Sequence, residues 1–91
     1  MSGIDHVSQH HRTTLENIGH HPTTHNLEWN DVIGLLEEIA EVREEHDGKF
    51  IVKLGDERLL LTKPRHKDVD EQMVLDLRRM LRGAGYLQAK P

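Results

Sequence analysis

Apolar side chains recur at helical spacing in two parts of the chain. The first part follows the i, i+3, i+4, i+7 pattern of a helix with one buried face, and it comprises Val32, Leu35, Leu36 and Ile39. Asn30 is suited to cap this helix, and Gly34 within it leaves room for close packing by a neighbouring element. The second stripe follows Asp68, its predicted cap, and comprises Val69, Met73, Val74, Leu77, Met80 and Leu81. These patterns predict two amphipathic helices.

Between the two helices the pattern alternates, as it does on a strand with one buried face. One face carries Phe50, Val52 and Leu54, and the other carries Lys49, Ile51 and Lys53. Asp47-Gly48 is a strong signal for a two-residue hairpin, because both central residues of that turn adopt positive φ. Gly55-Asp56 predicts a second turn before the strand RLLLT, whereas EVREEH, ahead of the first turn, is the least apolar of the three strands. The middle of the chain therefore predicts an antiparallel meander.

The N-terminal part adds a short helix to this domain. Thr13 and Glu16 have the spacing of a capping box, and Leu15 and Ile18 share one face. We therefore predict a poorly ordered tail over residues 1–12, a short helix and connector over 13–26, and a domain over 27–88. The predicted fold class is α+β: a short helix, then α-β-β-β-α, with a three-stranded antiparallel sheet and two helices packed on one of its faces.

Length and composition limit the classes of protein that remain. A chain of 91 residues makes one small domain, and the absence of cysteine excludes disulfides and thiolate metal clusters. No apolar run approaches the ~20 residues of a membrane span, and the first residues lack the features of a signal peptide. These observations predict a cytoplasmic protein without a membrane partner.

The formal net charge of −4 conceals an uneven distribution. Residues 26–57 contain ten acidic and three basic residues, whereas residues 58–91 contain eight basic and four acidic ones. Lysine and arginine contact phosphate oxygens without reading sequence, and duplex RNA is recognised mainly through its backbone and shape. The predicted RNA-binding residues are Lys49, Lys63, Arg65, His66, Lys67, Arg78, Arg79 and Arg82. The alternative is an ordinary charged helix flank, because acidic residues are interleaved with the basic ones: Asp68, Asp70, Glu71 and Asp76.

Other residues carry candidate chemistry less specifically. Six N-terminal histidines invite a metal site, but no carboxylate or thiolate ligand has a fixed place near them, so we predict no metal and no cofactor. Those histidines are His6, His10, His11, His20, His21 and His25. Trp29 either packs against the start of its helix or is exposed for stacking on RNA. Tyr86 offers the only other stacking group outside the strands.

The element order resembles that of the HicA family, small toxins that cleave messenger RNA and have a fold similar to the double-stranded-RNA-binding domain. The resemblance rests on KPRHKDV between the third strand and a helix ending in LRRMLRGAGY, and it runs from about Trp29 to Tyr86. The segment TLENIGHHPTTHNLEWNDVIGLL is similar to the N-terminal extension of a branch of small uncharacterised bacterial proteins within this group. The resemblance implies RNA, or a protein partner such as an antitoxin, as the ligand.

The position of the family's catalytic residue differs here. In the toxins a Gly-Ser-His triplet on the first hairpin carries the catalytic histidine, and this triplet aligns with Gly48-Lys49-Phe50. A phenylalanine cannot transfer a proton, so we predict no catalytic residue and a non-catalytic RNA-binding or regulatory module. Two alternatives stay open at this point. One is a ribonuclease that uses His46, and the other is a protein-interaction module that binds through a sheet edge or an acidic helix face.

Overall fold

A computed structural model describes residues 7–19 and 27–87 of the chain. Its elements follow in the order α1 (Gln9–Gly19), α2 (Trp29–Ile39), β1 (Glu41–His46), β2 (Lys49–Leu54), β3 (Glu57–Thr62) and α3 (Glu71–Gly83). This order confirms the predicted α+β fold. None of the helices in the described ranges is long and apolar enough to cross a membrane.

The sheet is the predicted meander. Its strands lie in the order β1-β2-β3, and both neighbouring pairs are antiparallel. Asp47 and Gly48 have φ angles of 53° and 76°, which confirms the hairpin signal at the first turn. The register between β1 and β2 shifts between Glu44 and His46, so Glu45 is the extra residue of a β-bulge.

The hydrophobic core lies on one face of the sheet. Val52 and Leu54 of β2 and Leu61 of β3 are buried there together with the apolar stripes of the helices. α2 contacts β1, α3 contacts β3, and α1 packs against both helices. The two long helices therefore cover one face of the sheet as predicted, while the opposite face carries no helix among the described residues.

Helix α1 begins earlier than the capping-box pattern indicated. Ser8 is the residue before its first turn, and its hydroxyl oxygen accepts a hydrogen bond from the backbone N–H of His11 at 3.4 Å. Thr13, the predicted cap, lies inside the helix and donates its hydroxyl to the carbonyl of Gln9. Val7 is buried in the core. The boundary predicted at residue 12 therefore falls within α1, while residues 1–6 and the connector at 20–26 lie outside the described residues.

The starts of α2 and α3 also differ from the predicted caps. Asn30 lies within α2, and Glu28 precedes the helix without a capping hydrogen bond from its side chain. The N–H of Trp29 instead donates to the carbonyl of Lys67 at 2.6 Å. At α3 the cap is Asp70 rather than Asp68, because the Asp70 carboxylate accepts from the N–H of Met73 at 2.8 Å. At α2, a long-range backbone hydrogen bond takes the place of the predicted Asn30 cap. At α3, Asp70 takes the place of Asp68 because it directly precedes the first helical residue.

Helix α1 is held on α2 by a histidine that lies over a glycine. A Cβ atom at position 34 would lie 3.1 Å from Nε2 of His11, so Gly34 provides the space that this ring occupies. Nδ1 of the same ring lies 2.5 Å from Oε1 of Glu38, which also accepts from the N–H of Ser8. The predicted close approach at Gly34 is therefore confirmed, and α1 is the neighbouring element.

We expect Gly34→Leu to lower the free energy of unfolding by about 1–3 kcal/mol, because its side chain would occupy the space of the His11 ring. Urea unfolding followed by circular dichroism measures this change. In a His11→Ala background the same substitution should cost clearly less, because the ring has been removed. Equal costs in both backgrounds would contradict the close approach of α1 at this position.

The Glu38 contact predicts acid sensitivity. Hydrogen bonds from His11 and Ser8 hold the pKa of the Glu38 carboxyl below its ordinary value of 4.5. A carboxyl with a lowered pKa in the folded state stabilises the fold above its unfolded pKa, and this contribution is lost as the pH falls through the folded value. Urea unfolding at several pH values below about pH 5 should therefore show a shallower acid-induced loss for Glu38→Gln than for the parent. Glu37→Gln, on the same helix and exposed, should keep the parent's slope.

Candidate nucleic-acid interface

Five exposed side chains of the predicted RNA-binding set lie at the end of the sheet that carries the first hairpin turn. The N–H of Lys63 donates to the carbonyl of Gly48 at 2.7 Å, and Lys49 pairs with Thr62 in the strand register. These contacts bring the backbones of the two lysines to the same end of the sheet, although they are distant in sequence. Lys63 lies opposite Gly48 and Lys49 opposite Thr62, so the two lysine side chains point to opposite faces of the strand pair. We call the group the hairpin-end cluster, and it comprises Lys49, Lys63, Arg65, His66 and Lys67.

Backbone hydrogen bonds hold both ends of the loop that carries four of these residues. One end is attached at Gly48 through the N–H of Lys63, and the other at Trp29, whose N–H donates to the carbonyl of Lys67. The ring of Trp29 packs against the ring of Phe50, with centroids 5.2 Å apart and planes inclined by 60°. Since Phe50 is the neighbour of Lys49, both attachments lie at the same end of the sheet.

The cluster carries positive side chains, and one ion pair within 4.0 Å is found for it among the described residues. The nearest acidic oxygen recorded for it is Oε2 of Glu28, 4.0 Å from Nζ of Lys67, with both side chains well exposed to water. Exposed ion pairs of this kind contribute little to stability, so a phosphate can replace Glu28 at low cost. The cluster therefore presents four permanent positive charges and one imidazole to solvent.

Arg78 does not belong to any exposed surface. It is only 4% exposed, and its Nε donates to the carbonyl of Ile18 at 2.9 Å. Ile18 is the penultimate residue of α1, so this guanidinium satisfies a carbonyl at the C-terminal end of that helix, where basic side chains are favoured. The assignment of Arg78 to the RNA-binding set is corrected on this ground: its charge stabilises the contact between α1 and α3.

Arg79 and Arg82 lie near the C-terminal end of α3, apart from the hairpin-end cluster. They lie about 12 and 16 Å along the helix axis from Glu71, its first residue, at a rise of 1.5 Å per residue. Arg79 is exposed and pairs with Asp76 at 3.3 Å, whereas Arg82 is half-buried. The predicted set is thus divided between the hairpin-end cluster and these two arginines.

Phe50, the residue that the resemblance to HicA toxins aligns with a catalytic histidine, packs against the core. Phe50 is half-buried and faces Trp29, while His46 is exposed and lies opposite Lys49 across the turn. Phe50 therefore packs against the core on the same face of β2 as Val52 and Leu54, whereas His46 does not. An imidazole at position 46 lies on the solvent side of the hairpin.

Within residues 7–19 and 27–87, no tryptophan, phenylalanine or tyrosine ring is exposed enough to be a platform for base stacking. The chain has one residue each of tryptophan, phenylalanine and tyrosine. Trp29 is 4% exposed, and Phe50 and Tyr86 are partly buried against the core. Proteins that hold single-stranded nucleic acid stack successive bases on exposed aromatic rings, so the exposed cations here are better suited to a duplex backbone.

The structure reveals a second positive surface that the sequence did not identify. On the sheet face without helices, a groove of about 400 Å³ is lined by Glu41, Val42, Arg43, Ile51, Lys53 and Arg58. Lys53 lies between Glu41 and Arg58 in the register, and Arg43 lies opposite Ile51. The alternating Lys49 and Lys53 of β2 were the feature of the sequence that could have indicated this surface. Only the strand register shows that Arg43 and Arg58 lie on the same face.

Two of the six N-terminal histidines fall within the described residues. His10 lies 3.0 Å from Asp31 and His11 lies beside Glu38, so each pairs with a different carboxylate of α2. Across residues 7–19 and 27–87, no three histidine or acidic side chains converge in a way that could hold a metal ion. The other four histidines lie outside the described residues.

Comparison with known proteins adds no assignment. No family model, no curated protein and no solved structure matches this chain. The kinship with HicA therefore stays a prediction based on the residues quoted above.

The two neighbouring arginines of α3 should differ sharply in their effect on stability. We expect Arg78→Met to lower the free energy of unfolding by about 1–3 kcal/mol, because the Ile18 carbonyl loses a buried charged donor. Arg79→Met should change it by less than about 0.5 kcal/mol, because Arg79 is exposed. Chemical denaturation of both variants measures the difference, and equal effects would contradict the buried position of Arg78.

Proposed function

We propose that this protein binds the backbone of duplex RNA without cleaving it, on a HicA-like scaffold. The observation that carries the proposal is the hairpin-end cluster, in which cations from β2 and from the loop before α3 are held together by the folded backbone. Phosphate oxygens are the ligand class that fits exposed lysine and arginine side chains with little acidic compensation. The loop between its two attachments presents Arg65 and His66 outward.

The charges on the uncovered face of the sheet support the same ligand, because its groove is lined by Arg43, Lys53 and Arg58 and by one acidic residue, Glu41. Lys49 and Lys53 share the face of β2 that carries no helix, and Arg58 lies opposite Lys53. Positive side chains therefore continue from the hairpin turn across this face. An extended run of cations suits a long polyanion better than a small phosphorylated metabolite, for which a closed pocket with converging donors is usual.

The residue at position 50 is the reason why we propose binding without cleavage. Phe50 stands where the HicA toxins are expected to carry their catalytic histidine, and its ring packs against Trp29. A histidine is the usual proton-transfer group in ribonuclease chemistry, and a phenylalanine ring has no proton to give or accept. A protein that binds RNA without hydrolysing it can cover the RNA or regulate its use.

Neutralising the loop should weaken RNA binding in a salt-dependent way. We expect the double variant Arg65→Gln and Lys67→Gln to bind a short RNA duplex more weakly than the parent at low salt. The slope of log affinity against log salt should fall by about two, because two phosphate contacts are lost. Fluorescence anisotropy with a labelled duplex measures both quantities.

The matched control is Arg79→Gln, on the separate surface of α3, which should retain the parent's affinity within about threefold if the hairpin-end cluster is the interface. No binding of the parent to duplex RNA at low salt would overturn the proposal, as would equal affinity of parent and double variant. The same samples test cleavage. A ribonuclease that used His46 would degrade the RNA and would lose this activity in His46→Ala, whereas the proposal expects intact RNA with both proteins.

A further inference from the structure

The outer edge of β3 carries backbone groups that pair with no other strand among the described residues. The N–H of Lys63 bonds to Gly48 of the hairpin turn, and in an antiparallel pair hydrogen-bonded residues alternate with residues whose polar groups point away. The outward-pointing set is therefore Arg58, Leu60 and Thr62. Pro64, the next residue in this set, has no N–H and ends the edge. No strand of the described ranges pairs with β3 on this side.

The side chains on β3 do not protect this edge from another strand. Leu60, at the middle of β3, is 59% exposed, compared with 43% for Leu75 on α3. The opposite edge of the sheet differs, because β1 carries exposed charges along its length and the bulge at Glu45. Charged residues and bulges are the usual devices that prevent edge-to-edge pairing. β3 has an apolar centre instead.

The β3 sequence is complementary to itself in one antiparallel register. If two copies are placed with a two-fold axis at Leu60, the outward groups of all three residues in the set form hydrogen bonds with the second copy. Leu60 then lies opposite Leu60 of the second copy and Leu59 opposite Leu61. In the same register Glu57 lies opposite Lys63 of the second copy, and this opposite-charge pair occurs twice.

Each neighbouring register loses part of this complementarity. An axis at Leu59 would place Glu57 opposite Leu61 and would leave Lys63 beyond the strand without an acidic partner. An axis at Leu61 would place Arg58 opposite Pro64, which cannot donate a hydrogen bond. The pattern of charge and backbone donors therefore selects the register centred on Leu60.

We propose that two copies of this chain associate through their β3 edges and form a continuous six-stranded antiparallel sheet. The contact is short and its side-chain part is small, so we expect a concentration-dependent dimer rather than an obligate one. This proposal does not depend on RNA binding. Lys63 belongs to both surfaces, and for this reason the RNA-binding variants above leave it unchanged.

Sedimentation equilibrium of the full chain, without RNA and over a wide concentration range, tests the association. We expect Leu60→Lys to weaken the dimer by about tenfold or more, because two like charges would face each other at the axis. Leu75→Lys is the matched control, an exposed leucine on α3, and should leave the association unchanged. Circular dichroism shows whether both variants keep the parent's fold. A parent that stays monomeric, or a dimer that survives Leu60→Lys, would overturn the proposal.

Charge reversal tests the register itself. Glu57→Lys and Lys63→Glu should each weaken self-association, because each creates two like-charge pairs across the axis. The double variant should restore it, and so should an equimolar mixture of the two single variants, in which every pair is again of opposite sign. Failure of both combinations to restore the dimer would overturn the register centred on Leu60. A monomer that instead bound a different protein through this edge would overturn self-association.

Discussion

Two backbone hydrogen bonds between distant parts of the chain hold this small domain in its arrangement. The N–H of Trp29 donates to the carbonyl of Lys67, and the N–H of Val69 donates to the carbonyl of Leu27. They fix where α2 begins and direct the chain toward α3. The first bond also places the indole of Trp29 against Phe50, so the same contact closes the core at the hairpin end and holds the cationic loop outside it.

A domain of this size has few side chains with which to close its core, and α1 supplies part of the missing cover. Leu15 and Ile18 of α1 are almost fully buried, and a guanidinium from α3 satisfies the end of the helix. This use of Arg78 explains why a run of arginines on one helix does not act as one surface. Adjacent positions on a helix point in directions about 100° apart, so Arg78 faces α1 while Arg79 faces water.

The two faces of the sheet differ in burial and charge. Its covered face buries the core, and its uncovered face combines positive side chains with Ile51 and the exposed Leu60. The hairpin-end cluster joins this face through Lys49, so the proposed RNA surface and the proposed β3 contact are neighbours. An association of two copies would bring two positive faces into one longer surface, for which a duplex backbone is a suitable ligand.

The sequence by itself determined the periodic features of this protein. The apolar stripes of α2 and α3, the hairpin at Asp47-Gly48 and the space at Gly34 each depend on residues close together in the chain, and the structure has them where the pattern placed them. Only the tertiary structure decided the helix starts, the burial of Arg78 and the grouping of Arg43, Lys53 and Arg58. These depend on strand register and on which helix faces which neighbour. Such choices are made by packing between distant segments, and no local spacing encodes them.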